Sequence, residues 1–441
     1  MSTIGRGSAG AWDSPAGRVL SAIGRRLFGA RIPTWPLLTP PLPIEDLPCP
    51  ATLRFPLGRN NGVSLPPIAR KGGEVVVGQS ISDEPDAPVR RSPVSGTVTG
   101  IANAPDVRGV KGGRVVLVEP REAAPFEPVT SSAGAAIRAR LLEAGVMAGV
   151  RPRLLGELLG VGDVVVLATD MEPGVSVARQ LLRDRMEDAP LAARLLARVT
   201  GGAAALAVLP DQEEVRAVAA RHDVDVLVLT PVYPHALEPL VGARTGATVI
   251  PLEAALAALD AVREGRPQAR KALTVIAPTG SRNVRVAIGA RIGDVLAHLG
   301  VEPQERDKLV AGGPMRGFAQ HSLDGAVDAG LDALVLIPAT EVTEWSDAPC
   351  INCGVCVDAC PQDMQVQLIG RCAEFGLFDR AGELGALDCA ECGICAAVCT
   401  ARRPLLQLIR LAKRELQAQE EAASAAGEAA AEAEDRRTVA A

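Results

Sequence analysis

Eight cysteines set the chemistry of this chain. They fall into two runs of identical spacing, Cys350, Cys353, Cys356, Cys360 and Cys389, Cys392, Cys395, Cys399, each reading C-x2-C-x2-C-x3-C. Three thiolates so spaced can wrap one face of a 4Fe-4S cubane, while the fourth turns away along the following helix and reaches another cubane. The spacing therefore predicts two clusters with exchanged fourth ligands. Cys350, Cys353, Cys356 and Cys399 would hold one, and Cys389, Cys392, Cys395 and Cys360 the other. Gly354 and Gly393 lie inside the ligand loops, where a missing side chain lets backbone N–H groups approach the sulfides. Thr400 stands where the first run has Pro361, so the exit turn of the second run is expected to be less rigid.

Two other chemistries use cysteine in this density. A disulfide framework belongs to small, signal-bearing secreted chains, which this is not. Structural zinc uses pairs of C-x2-C knuckles at longer separation, and a four-cysteine run is crowded for tetrahedral coordination. A zinc-bearing assembly scaffold stays open as an alternative. Cys372, in the segment joining the runs, and Cys49, near the N-terminal arm, read as small buried or inert residues and not as ligands.

The rest of the chain must position such a module. Its 441 residues exceed one ordinary core and imply two to four domains. A net charge of -6, spread along the chain, lacks the basic face that nucleic acid requires, so nucleic acid is not an expected partner. No apolar run approaches the roughly 18 to 20 residues that span a bilayer, and Leu331 to Ala339 has only strand length. The N-terminus has no secretory signal. Gly17 to Ile32 mixes Arg18, Arg25, Arg26 and Arg31 with Val19, Leu20, Ile23, Leu27 and Phe28, the pattern of a short amphipathic helix or of a loose basic arm.

After that arm (1–39), residues 40–125 alternate Val, Gly and Pro in short runs such as Gly73 to Gln79 and Ser92 to Ile101, which predicts a small β domain. Residues 131–265 alternate helical stretches such as Val175 to Arg185 with apolar strands at Val164 to Ala168, Ala204 to Leu209 and Val224 to Thr230. That order predicts βαβ units and a mainly parallel sheet. Residues 270–340 give a strand, a turn at Pro278 to Asn283, a second strand and a helix at Ile292 to Leu299, compatible with a β-grasp domain. The cysteine module takes 345–420 and runs into a helix at Leu405 to Glu420. Residues 421–441 repeat Ala and Glu with no apolar face and are expected to be disordered.

Together these residues resemble the RnfC family, a peripheral component of a membrane electron-transport complex, which is itself similar to the flavin- and NADH-binding subunit of respiratory complex I. The resemblance is strongest from Gly312 to Glu415: Gly312-Gly313-Pro314-Met315, Ala319-Gln320, Ser322-Leu323, the two cysteine runs, Pro404-Leu405 and Leu411-Ala412-Lys413. Upstream, Asn283-Val284-Arg285-Val286 with Gly289 resembles the family's soluble-ligand-binding β-grasp domain. Tyr233-Pro234 with Glu238, and Glu172-Pro173, match its central α/β domain. Ser92 to Val98, with Pro93, Gly96 and Thr97, resembles its barrel-sandwich domain. The implied fold class is multidomain α/β plus β: a barrel-sandwich-like domain, a Rossmann-like α/β domain, a β-grasp domain and a helical double-cluster ferredoxin module.

One family signature is missing. The family's flavin loop reads Gly-Gly-Ala-Gly-Phe-Pro followed by a lysine, and here the equivalent stretch runs from Glu143 through Gly145-Val146-Met147-Ala148-Gly149-Val150 to Arg151-Pro152. Such a loop works by bringing bare backbone N–H groups to phosphate, and Val146, Met147 and Val150 would crowd that approach. Thr169-Asp170-Met171-Glu172-Pro173 keeps only the Glu-Pro of its signature. Gly145, Gly149, Arg151 and Glu172 are the remaining flavin candidates, with Arg153 a further source of charge, and a degenerate site without FMN is expected.

The implied function is an electron-transfer subunit passing single electrons through two 4Fe-4S clusters, without independent NADH dehydrogenase activity. The implied partners are the other subunits of a membrane complex and a soluble donor or acceptor such as ferredoxin or NADH. The implied location is peripheral, on the cytoplasmic face of the bacterial inner membrane. An active FMN-dependent, NADH-oxidising subunit is the alternative.

Overall fold

The structure is a computed structural model that describes residues 37–57, 65–82, 91–105, 107–108, 113–122, 124–212 and 214–439. The arm expected over 1–39, with its helix at Gly17 to Ile32, lies outside the described residues except for its last three. Among the described residues, one compact unit ends at Val342 and a second begins at Thr343.

The first unit holds three main sheets. Strand β1 (Ile44–Asp46) precedes an antiparallel sheet of β2 (Leu53–Pro56), β3 (Glu74–Val75), β4 (Ser95–Ala104) and β5 (Gly113–Arg121), in the order β2-β5-β4-β3. Alternation sends Leu53, Phe55, Val98, Val116 and Val118 to one core. A helix, Gly134–Glu143, leads into a two-stranded hairpin of β6 (Met147–Ala148) and β7 (Arg153–Leu154).

Strands β8 (Gly162–Leu167), β9 (Gly201–Val208), β10 (Asp225–Val228) and β11 (Thr248–Pro251) form an all-parallel sheet in the order β10-β9-β8-β11. Helices including Val177–Asp184, Asp188–Thr200 and Leu252–Arg263 connect and cover it. Val164, Val165 and Val166 are fully buried, as strands covered on both faces must be. The chain moves from β8 outward to β10 and returns on the far side of β8, which puts the switch point at the carboxyl ends of β8 and β11.

The third sheet combines β12 (Arg270–Ala277), β13 (Gly280–Ala287), β14 (Lys308–Ala311), β15 (Phe318–Ala319) and β16 (Ala333–Ile337), in the order β1-β13-β12-β16-β14-β15. Two expectations need correction. Residues 44–46, assigned by pattern to the N-terminal β domain, instead pair in parallel with 283–285. Charge explains the attraction, because Arg285 and Arg270 pair with Asp46 at 3.5 and 3.6 Å, and Arg282 pairs with Glu45. The turn expected over Pro278 to Asn283 is confined to Pro278 and Thr279. Asn283 lies inside β13, buried, with its Nδ2 donating to the Leu42 carbonyl at 2.9 Å.

The second unit is helical. Val355–Asp358, Val366–Glu374, Phe378–Glu383 and Ile394–Ala397 pack on the long helix Leu405–Val439 around Ile369, Ala373, Ile409, Ala412 and the cysteines. That helix corrects the disordered tail expected over 421–441. Ala and Glu are strong helix formers, so propensity carries the helix onward although no core requires it.

Candidate functional site: a double cysteine module and a filled cleft

The two cysteine runs adopt the same backbone. Asn352 and Glu391 have φ of 53° and 54°, Gly354 and Gly393 of 79° and 75°, and Asp363 and Arg402 of 52° and 49°. Gly354 and Gly393 are the left-handed residues from which the short helices Val355–Asp358 and Ile394–Ala397 start. A Cβ on Gly354 would meet nothing within 4 Å, so the glycine is required by its φ and not by crowding.

The Cys356 thiol is pushed up to about 11, first by burial and then by Cys399, Cys350 and Cys353 around it. Cys395 is raised well above the ordinary thiol value, by burial and then by Cys392, Cys389 and Cys360. Cys389 is raised by burial and by Cys360, against the pull of the Glu391 N–H and Lys413. Cys356 thus has Cys399 among its neighbours and Cys395 has Cys360, with Cys356 also acting on Cys395. Thiols crowded this way would be held ionised by a metal they ligated.

The surroundings suit sulfur that carries negative charge. Backbone N–H groups of Asn352, Glu391 and Arg403 donate to the sulfurs of Cys350, Cys389 and Cys399 at 3.4, 3.3 and 3.4 Å. The buried Lys413 donates to the Cys389 carbonyl at 2.8 Å and pairs with Glu391 at 3.1 Å. These residues fit 4Fe-4S clusters: each set offers four thiols, with amide donors aimed at the sulfurs. Among the described residues no three His, Cys, Asp or Glu side chains converge on a point where one metal ion could sit. Around a single zinc, four sulfurs would lie roughly 3.8 Å apart, given zinc–sulfur bonds of about 2.3 Å. Cys372 is half-buried in the helix Val366–Glu374, and Cys49 is exposed.

The remaining candidates lie in the first unit. Gly145, at φ 63°, ends the helix Gly134–Glu143 in a Schellman turn: its N–H donates to Leu142 at 3.2 Å and that of Val146 to Leu141 at 3.1 Å. Val146 and Ala148 point into the core, and the N–H of Met147 is taken by the Gln268 side chain at 2.8 Å. Gly149 and Arg151 lie in the hairpin turn, where Arg108 donates to the Val150 carbonyl. The helix that follows, Leu155–Leu158, is one turn long.

Glu172 is buried next to the sheet's switch point. Its Oε2 accepts from the N–H groups of Met315 and Arg316 at 2.8 and 3.3 Å, and its Oε1 pairs with Arg316 Nε at 3.1 Å. A Cβ on Gly313, at φ 122°, would lie 2.5 Å from Glu172 Oε2, so the Gly-Gly-Pro-Met loop closes over this carboxylate. Burial raises the Glu172 carboxyl against the opposing pull of Arg316. Sequence reasoning missed the residues beside it. Lys271 is buried and pairs with Glu253 and, at 3.0 Å, with Asp332; burial lowers its pKa, and these partners reverse the direction. Asp170 accepts the N–H groups of Ala178 and Arg179 at 2.7 and 3.3 Å, and burial lifts it to about 6. Glu238 is lifted to about 7 by burial, and its Oε1 has no hydrogen-bond partner among the described residues. Only the Glu-Pro and Tyr-Pro strings hinted at this network.

The switch point contains cavities of about 40 and 20 Å³, the first lined by Asp170, Glu172 and Lys271 and the second by Gly149, Glu238 and Gln268. A wide, open groove of about 1350 Å³ lies elsewhere in this unit. Its arginines are already paired: Arg121 with Glu74, Arg185 with Asp260, Arg266 with Glu264, and Arg270 and Arg285 with Asp46.

Comparison with known proteins agrees with the cysteine chemistry. The family model for the RnfC barrel sandwich hybrid domain matches residues 29–122, and that for a 4Fe-4S binding domain matches 344–365. The C subunit of the ion-translocating oxidoreductase complex of Rhodobacter capsulatus is 27% identical, covering 86% of this chain and 80% of that protein. Its counterpart of the same description in Methanosarcina acetivorans is 27% identical, covering 85% and 93%. The C subunit of the proton-translocating ferredoxin:NAD(+) oxidoreductase complex of Clostridium ljungdahlii is 26% identical, covering 85% and 90%. Among solved structures, an NAD+-reducing nickel-iron hydrogenase in the H2-reduced state aligns with a TM-score of 0.45 and 14% identity, over 66% of this chain and 65% of that one.

Proposed function

This chain belongs to the RnfC family, and from that premise we propose that it is the iron-sulfur electron-transfer subunit of an ion-translocating oxidoreductase complex. Cys350, Cys353, Cys356 and Cys399 hold one 4Fe-4S cluster, and Cys389, Cys392, Cys395 and Cys360 the other. The observation that carries this reading is that Cys399 lies among the charged neighbours of Cys356 and Cys360 among those of Cys395, in two runs of one backbone form. A bound cubane of this kind takes up and gives back one electron at a time. The chain's own residues hold the sulfurs ionised through amide donors, seat the short ligand helices against Ile369 and Ile409, and bring Lys413 close to Cys389. Zinc is the weaker reading, because the thiols do not converge as a single ion requires.

The flavin site is degenerate in this proposal. Flavin-sized ligands occupy pockets of about 300 to 1,000 Å³, and the switch-point cavities hold a water or two. The candidate loop spends its glycines on a helix end and a hairpin turn, and Glu172 is committed to Arg316. We assign 40–125 to the barrel sandwich, 131–265 to a Rossmann-like domain retained for assembly, 270–340 to a β-grasp domain and 345–420 to the double-cluster module. The partners are the other subunits of the complex and a soluble donor or acceptor such as ferredoxin or NADH, on the cytoplasmic face of the bacterial inner membrane. No described helix is long and apolar enough to cross a membrane.

The test has two arms. EPR of anaerobically purified, dithionite-reduced protein should show two cubane signals. Equilibrium titration with FMN and NADH should show neither stoichiometric FMN binding at micromolar concentration nor NADH-dependent reduction of an artificial acceptor. Either of those would promote the flavoenzyme reading.

A further inference from the structure

The two cysteine runs differ at the residue after the fourth cysteine. Pro361 follows Cys360, and the matching residue after Cys399 is Thr400. Proline carries no donor on its backbone nitrogen or its side chain. Threonine carries a hydroxyl, and in this fold its Oγ1 lies 3.4 Å from the sulfur of Cys353, a member of the other run. Once that sulfur is a thiolate ligand it has no proton of its own, so the hydroxyl must be the donor.

We infer that Thr400 is a tuning residue: its hydroxyl, bonded to Cys353, raises the reduction potential of the cluster held by Cys350, Cys353, Cys356 and Cys399. This rests on the two-cluster reading above. Reduction adds one electron whose charge spreads onto the ligand sulfurs. A donor aimed at one of them therefore stabilises the reduced form more than the oxidised form. Pro361 offers no such donor, so this contact is made at one site and is missing at the other. Exposure makes the effect modest, because Thr400 is open to solvent and water competes for the sulfur.

The experiment is an EPR-monitored redox titration of the intact, anaerobically purified protein, comparing wild type with Thr400→Val and Thr400→Ser. With the potential poised at the wild-type midpoint, Thr400→Val should lower the reduced-to-oxidised ratio of one cluster about tenfold. For a one-electron couple that is a midpoint about 59 mV lower. Thr400→Ser should stay within about twofold of wild type, and the second cluster should not move. Thr400→Ala, smaller than Val, separates loss of the donor from a change of shape. Unchanged midpoints in Val and Ala with both cubanes intact overturn the inference and leave the two-cluster reading standing. Loss of a cubane in both variants, with retention in Ser, assigns Thr400 a structural role and also overturns it. A wild-type protein without cubanes overturns both.

Discussion

The cysteine module and the switch point of the parallel sheet both collect reactive side chains, but they treat them in opposite ways. In the module, amide donors point at thiol sulfurs, and the thiols crowd one another. At the switch point, where open α/β sheets bind ligands, most of the buried charges pair with one another, Glu238 excepted. Glu172 takes Arg316, Lys271 takes Glu253 and Asp332, and Asp170 caps a helix.

Four substitutions would break or sharpen that contrast. The largest effect belongs to Cys360→Ala, which should remove the cluster of Cys389, Cys392 and Cys395 and leave its sequence neighbours loaded. Iron should fall from about eight to about four per chain, with one EPR signal retained. Loss confined to the set of Cys350, Cys353 and Cys356 would mean that each run fills its own cube.

Glu172→Ala should leave Arg316 charged and buried without the carboxylate that pairs with it at 3.1 Å, lowering stability by about 3 to 5 kcal/mol. A urea midpoint measures it, and iron content should not change. A flavin-binding Glu172 would instead give a small stability change with lost FMN affinity.

Glu238→Gln should stabilise, and more so as pH rises. The Glu238 carboxyl sits at about 7 in the folded chain against an ordinary value of 4.5. Between those values the unfolded chain has released its proton while the folded chain keeps it, so stability falls as pH climbs. Above about 7 the full loss is in place. The advantage of the glutamine variant should therefore grow by roughly 2 kcal/mol from pH 5.5 to pH 8, using 1.36 kcal/mol per pKa unit. Paired denaturant melts at the two pH values check it, and a pH-independent difference would contradict the assignment.

Thr400→Val has the smallest effect on stability. Its substitution changes an exposed side chain and should shift the urea midpoint by less than about 0.5 kcal/mol.

Much of this was legible in the sequence, for a physical reason. Ligands of a cubane must recur at fixed short spacing, so the eight cysteines and the left-handed glycines can be read directly from the chain. The parallel strands were legible because burial on both faces leaves unbroken Val runs, as at Val164 to Val166. The Glu172–Arg316 pair was not legible, since its partners are far apart in sequence and meet only once two sheets are built. Strand β1 escaped notice because three residues with two exposed acids show no alternation, and its place is set by arginines on another strand. The end of the long helix was missed because the absence of an apolar face was weighed above Ala and Glu propensity.

The central claim is that the module carries two cubanes while the switch point carries no flavin. One anaerobic preparation, assayed together for iron, acid-labile sulfide, zinc and FMN, tests it most directly. The expected result is about eight irons and eight sulfides per chain, with zinc and FMN far below stoichiometric. Stoichiometric zinc with little iron, or one FMN per chain, would contradict it.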